Sequence, residues 1–212
     1  MIRKYLYGIA VFVLAFVILS VSVLRCCSVI SSAYDPKAPI AAPTASPTPI
    51  PEVVYNLVYA GGVLPDSPLW YLKAARDRIQ YFITTDKLKK ADLALLFSDK
   101  RLGASLILIQ NKNPDLAVSV LTKGEKYLEM ASSDEVAARR AGLNTNDFLV
   151  KLATASLKHR QIIEEQILPL TPENLKPDAV KAEDYSKNTY KNCQTALSAR
   201  GIAAPKDPFN GQ

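Results

Sequence analysis

The apolar run from Tyr5 to Leu24, with Arg3 and Lys4 before it and a proline-studded stretch from Asp35 to Pro51 behind it, constrains this chain more than any other feature. A helix rises about 1.5 Å per residue, so the run is just long enough to cross a hydrocarbon core of about 30 Å. Residues 1–32 are therefore expected to form a signal anchor with a transmembrane helix at about 5–24. The free amine, Arg3 and Lys4 precede the run, while Arg25 and, farther off, Lys37 follow it. That bias favours a cytoplasmic N-terminus and places the remaining chain outside the cytoplasm. The competing reading is secretion after cleavage near Ala33, where Ser31-Ser32-Ala33 supplies small residues, although the run exceeds the usual signal-peptide core. Both readings export the rest of the chain.

Cys26 and Cys27 fall at the outer membrane edge. Leu24 and Arg25 stand where a lipoprotein site needs small residues. Neighbouring cysteines seldom pair, because the bridge strains the peptide between them, and Cys193 lies in a distant segment. Three unpaired or adventitiously paired thiols are expected, with a link between two chains through Cys26 or Cys27 as the alternative.

Residues 33–60 read as a linker. Its six prolines, Pro36, Pro39, Pro43, Pro47, Pro49 and Pro51, alternate with Ala, Thr and Ser. Such a stretch favours extended polyproline conformation at about 3.1 Å per residue and can hold a domain some 50 Å from the bilayer. About 150 residues follow, enough for one domain. The formal net charge is +6 overall; Asp66 to Gln212 holds 22 Lys or Arg against 18 Asp or Glu, or +4. These charges alternate along the chain, so no nucleic-acid partner is expected.

Helix signals dominate beyond the linker, and the one strand-like run is Val53 to Tyr59 before Gly61-Gly62. Ser67 and Pro68 have the cap-then-proline form, and Leu69, Leu72, Ala75, Ile79 and Phe82 then form one stripe at helical spacing, with Lys73, Arg76, Asp77 and Gln80 facing away. A second helix follows Thr85-Asp86, with Leu88, Leu95, Leu102 and Ile109 at seven-residue intervals. A third opens at Asn113-Pro114 with Ala117, Val120, Leu121, Gly124, Tyr127, Leu128 and Ala131 inward. Ser132 and Glu135 read as a capping box that starts a separate short helix ending at Gly142. After Asn144-Thr145-Asn146 a long helix carries Phe148, Leu152, Ala155, His159, Ile162, Ile163 and Gln166 along one side until Pro169. Past Thr171-Pro172, Ala182, Tyr185, Thr189, Cys193 and Ala196 mark a last helix ended by Gly201. Short polar connections imply antiparallel neighbours. The expected fold is thus all-α, an antiparallel up-and-down helix bundle of about four to six helices behind the transmembrane helix and linker.

The stretch Gly61-Gly62-Val63-Leu64-Pro65-Asp66-Ser67-Pro68-Leu69-Trp70-Tyr71-Leu72-Lys73 resembles the opening of a family of bacterial helical domains of unknown function. These domains begin with Leu-Pro-Asp-Ser-Pro, an aromatic, then Leu-Lys, and continue into a helix ending near an Asp. Leu64, Pro65, Asp66, Ser67, Pro68, Leu72 and Lys73 keep the pattern, with Trp70 and Tyr71 in its aromatic region. Asp86, the leucine helix through Arg101-Leu102 and the later Leu157-Lys158-His159 helix repeat its sequel. The resemblance covers about Gly61 to Leu168, leaving 169–212 as a C-terminal helical extension packed on residues 61–168. It implies an exported or single-span envelope protein; the family's activity is unassigned, so no functional residue is carried over.

Chemistry is sparse. His159 is the only histidine, which excludes His-pair metal sites and reads as a packing residue on an apolar helix side. Glu164 and Glu165 point about 100° apart on a helix and cannot face one substrate together, so glycan cleavage would need a partner such as Asp99 or Glu129. There is no phosphate-cradling glycine loop, paired-cysteine spacing or serine elbow. No catalytic, metal or cofactor-binding residue is therefore assigned, and no cofactor is expected. Trp70 and Tyr71 read first as core aromatics, and second as an interaction surface. The expected function is a non-catalytic, membrane-tethered interaction or scaffold module. Its partners would be the bilayer, through the N-terminal helix, and an unidentified envelope protein or polymer; a homo-oligomer is not indicated. The alternatives are a small cell-envelope hydrolase and a binder of anionic envelope polymers.

Overall fold

Helix ends in this chain are set by a few local devices. In the computed structural model, which describes residues 52–209, the described residues form five α-helices and no strand. They are α1 Trp70–Ile83, α2 Lys87–Gln110, α3 Pro114–Arg140, α4 Asn146–Ile162 and α5 Lys176–Ser198. α4 runs on through a π-helical turn, Ile163–Ile167, into a 3-10 turn, Leu168–Leu170. The expected anchor and the linker up to residue 51 lie outside the described residues. None of the helices described is long and apolar enough to cross a membrane.

The Asp86 carboxylate accepts from the amides of Leu88 and Lys89, each at 3.0 Å, and so caps α2. Asp86→Ala is expected to cost about 1 kcal/mol, read as a lower urea midpoint at unchanged slope. α3 ends where Gly142 takes φ +83°, a conformation that suits glycine, with the Leu143 amide bonded to Ala138 O at 3.2 Å. Gly201, at φ +69°, closes α5 in the same way, with Ile202 N on Leu197 O.

α2 lies mainly along α3, α5 packs on both α3 and α4, and α1 meets the remainder chiefly at α2. Ser98 Oγ donates to Gly124 O and Ser105 Oγ to Ala117 O, both at 2.8 Å. The contacts step backward along α3 as they step forward along α2. At Gly124 the two helices come so close that an added Cβ would stand 3.0 Å from Arg101 Cβ.

The core divides into two apolar halves. One gathers Leu95, Leu128, Leu149, Leu152 and Leu197; the other gathers Leu102, Leu121, Ile162, Ile163, Ile167 and Ala182. Between them, each of α2 to α5 contributes buried polar residues: Ser98 and Asp99, Glu125, His159, and Glu183 and Ser186. The seven-residue seam of α2 is buried as expected at Leu95, Leu102 and Ile109, with Leu88 partly buried.

Four local expectations require correction. Helix α1 begins at Trp70 and not at Ser67 or Pro68. Residues 65–69 form turns in which Ser67 Oγ accepts from Leu69 N at 3.3 Å and Ser67 O from Trp70 N at 3.0 Å. Ser132 starts no new helix, because α3 is continuous through it. Glu135, the supposed box partner, accepts instead from Thr145 Oγ1 at 2.6 Å and Arg139 Nε at 3.2 Å. Gln166 is exposed and Ile167 buried in its stead, because the wider π turn displaces the phase of the inward side by one residue. The Val53–Tyr59 run is not a strand. It is laid on the helices by Val53 N donating to Gln161 Oε1 at 3.1 Å and by Tyr55.

The largest correction concerns α1. The stripe read as its packing face points outward: Leu69 is 58 % exposed, Leu72 66 %, Ile79 61 % and Phe82 84 %, and Tyr71 beside it 78 %. Its inward face is polar. Lys73 Nζ donates to Ala60 O at 2.7 Å and Val63 O at 3.1 Å, Tyr81 OH donates to Asp134 Oδ2 at 2.6 Å, and Asp77 is buried beside Arg76. The physical reason is prior occupancy. Tyr55, Leu57 and Leu64 from the leading segment already cover much of the apolar halves, so α1 docks on what remains, which is carbonyls, a carboxylate and the Tyr127 ring that Tyr81 meets edge-on.

Candidate functional site

Three places carry chemistry. The first surrounds His159, brought in from α4 to the middle of the polar layer with no exposure to solvent. Its Nδ1 lies 2.8 Å from Glu125 Oε1 and its Nε2 3.0 Å from Asp99 Oδ1; the other Asp99 oxygen accepts from Tyr55 OH at 2.8 Å. Burial alone would push the imidazole toward neutrality, but the two carboxylates more than reverse it and hold its pKa at about 9. At neutral pH the ring is a cation donating from both nitrogens, so it has no lone pair with which to accept a proton. The arrangement is an internal ion cluster. Burial and the Asp99 charge likewise push the Tyr55 phenol far above its ordinary range.

The sequence supplied Asp99 only as a partner for Glu164 or Glu165, and Glu125 went unremarked. Both were visible as carboxylates on inward stripes: Asp99 between Leu95 and Leu102, Glu125 between Leu121 and Leu128. The lone histidine needed such partners. Glu129, the other proposed partner, is exposed.

The second place is the π turn. Glu164 and Glu165 indeed separate: Glu164 accepts from Arg160 Nε at 2.8 Å and Glu165 from Gln161 Nε2 at 3.1 Å. Glu164 meets Glu183 of α5, which sequence reasoning missed. Burial, then the neighbouring Glu164 carboxyl, raise Glu183 to about 7 against the opposing pull of Lys187, whose Nζ is 2.6 Å away. Arg160 braces the pair and stacks over Phe209 at 4.0 Å. A depression bounded by Glu135, Arg139, Leu149, Cys193 and Ala196 contains neither carboxylate. Cys193 within it is a free, buried thiol, pushed up to about 12 by burial and by Glu135. Among the described residues no group of His, Cys, Asp and Glu is placed to hold a metal ion.

The third place is the outer face of α1. It holds Tyr71 fully outward, whereas Trp70 is half-buried, with Lys73 Nζ 4.8 Å from its ring centre. The two aromatics named from sequence thus part company: Tyr71 belongs to the exposed apolar face and Trp70 to its edge. Burial lowers the Lys73 ammonium below its ordinary range, with Asp77 opposing.

No curated protein and no solved structure matches the chain. A family model described as a domain of unknown function (DUF5667) matches residues 62–172, just over half of the sequence and nearly the span of the resemblance noted at Gly61 to Leu168.

Proposed function

On the premise that the chain belongs to the DUF5667 family of domains of unknown function, we propose that it is a non-catalytic interaction module of the bacterial cell envelope. It is tethered by a transmembrane helix at about 5–24 and carried outside the cytoplasm on its proline-rich linker, with the helices as an antiparallel up-and-down bundle. The outward apolar face of α1 carries this reading. A monomer that buries Leu102 and Leu121 completely yet leaves Leu72, Ile79 and Phe82 in solvent keeps a contiguous apolar face for contact with something else. The best-placed titratable groups are meanwhile sealed or braced by opposite charge.

Two measurements test it. The full chain should fractionate with membranes, and protease added to intact spheroplasts should remove residues 52–209 while sparing the span; protection until lysis would overturn the topology. The membrane-held protein should also release no soluble fragments from envelope glycan or peptide. The Glu164–Glu183 pair favours a hydrolase as the second reading, since a carboxyl that keeps its proton near neutrality can act as an acid. Release that disappears in Glu183→Gln would establish that reading and end the non-catalytic one.

A further inference from the structure

We propose that the outer face of α1 is an interfacial helix that lies on an anionic lipid bilayer, an inference that rests on the tethered interaction module above. On a helix of 3.6 residues per turn, Leu72, Ala75, Ile79, Phe82 and Ile83 fall opposite the buried Asp77, and Arg76 and Arg78 fall at the two margins of that apolar face. Apolar side chains on the outward face with cations at both edges suit the boundary between headgroups and acyl chains. There the apolar groups sink in, and the Arg78 stem lies along them with its charge at the phosphates, while Arg76 stays paired with Asp77.

Charge selects the occupant. Residues 70–90 contain six Lys or Arg, namely Lys73, Arg76, Arg78, Lys87, Lys89 and Lys90, against Asp77 and Asp86, a net +4. That equals the net charge of the whole span 66–212. With Lys73 turned inward onto Ala60 O and Val63 O and Lys90 over the Tyr81 ring, the charge offered to a surface rests on Arg78, Lys87 and Lys89. Both acids are engaged, Asp77 with Arg76 and Asp86 in capping α2. Arg78, Lys87 and Lys89 are exposed. A second copy of the chain would present the same cations to this face and be repelled at the rim. An anionic surface is attracted, and the tether at residues 5–24 would keep one within reach of the linker.

The single tryptophan makes a direct test. In a Trp70→Phe, Phe82→Trp variant of the full chain, the only indole stands on the outer face, at a position exposed enough for the fold to ignore the change. The variant is reconstituted in vesicles carrying dibrominated acyl chains, made either of phosphatidylcholine alone or with phosphatidylglycerol. Several-fold loss of emission is expected in the anionic vesicles and little in the neutral ones. Adding Arg78→Gln and Lys87→Gln should weaken docking by about fivefold per charge removed, and salt should do the same.

An indole that stays wet in anionic vesicles overturns the proposal, as does equal quenching in both lipids. A blue shift without bromine quenching also overturns it. If that shift grows with protein concentration the occupant is a second copy, if it does not the occupant is another part of the same chain, and if it needs added soluble polyanion the occupant is an anionic polymer. Flotation separates the two readings: a chain that floats with vesicles while its indole stays wet is tethered and undocked. A chain that docks but is washed off by salt lacks the span.

Discussion

His159→Ala is expected to lower stability by about 3 to 5 kcal/mol, because it strands two buried carboxylates, Asp99 and Glu125, that the ring holds at 3.0 and 2.8 Å. Against a total of about 5 to 15 kcal/mol for an ordinary domain, that change brings the protein near its unfolding threshold at 37 °C. The charged ring also makes stability depend on pH in a definite direction. The folded pKa of about 9 lies above the ordinary 6.5, so the folded state binds the proton more tightly than the unfolded chain. The stabilisation is complete below about pH 6.5 and is lost as pH rises through about 9, for a total on the order of 3 kcal/mol. Urea unfolding at pH 6 and pH 9.5 reads it. Other groups titrate nearby, Glu183 among them, so the quantity to compare is the slope of the wild type against that of His159→Gln. Equal slopes would show that the ring is not charged in the folded state.

Leu102→Ala is expected to cost about 2 to 5 kcal/mol, and Leu95→Ala a similar amount, since both side chains are almost wholly buried in opposite halves of the core. The position of Leu102 argues for the upper part of that range. It lies beside the Gly124 approach, where Leu102 N would stand 3.4 Å from an added Cβ and the backbones of α2 and α3 are already in contact. Helices so close have little room to collapse into the vacated volume. Chemical denaturation with both variants checks this, and a near-zero loss at either would show that the seven-residue seam does not carry the packing.

Helices α2 and α3 were legible because their burial is regular: the seven-residue spacing of Leu95, Leu102 and Ile109, and the stripe from Ala117 to Ala131, are filled by one long neighbour each. α1 misled because periodicity reports that a helix has two faces, while which face turns inward depends on what has already covered the core. Here a leading segment with no regular structure of its own had covered it through Leu57 and Leu64. Gln166 and Ile167 were exchanged because a π turn leaves no local composition signal, and only the phase of the following residues reveals it. The ion cluster was half legible. One histidine and two carboxylates occupied inward positions, but their meeting required knowing how α2, α3 and α4 are set against one another.

The polar layer has a consequence for how this chain chooses among its own alternatives. A seam of leucines seven residues apart repeats itself, so sliding α2 along α3 by two turns, about 11 Å, would again set leucine against leucine. Apolar packing by itself discriminates weakly between such alignments. Glu125 and His159 have no like residue seven positions away on their helices. Asp92 does precede Asp99 by seven, but the slide that brings it to His159 carries Asp99 into the apolar place of Leu106, and the opposite slide leaves His159 with Leu106 in place of Asp99. The ionic centre thus acts as an index mark. Breaking it by removing one member is costly, whereas replacing all three members by apolar side chains of the same volume would cost the fold little; what that replacement would lose is uniqueness of alignment.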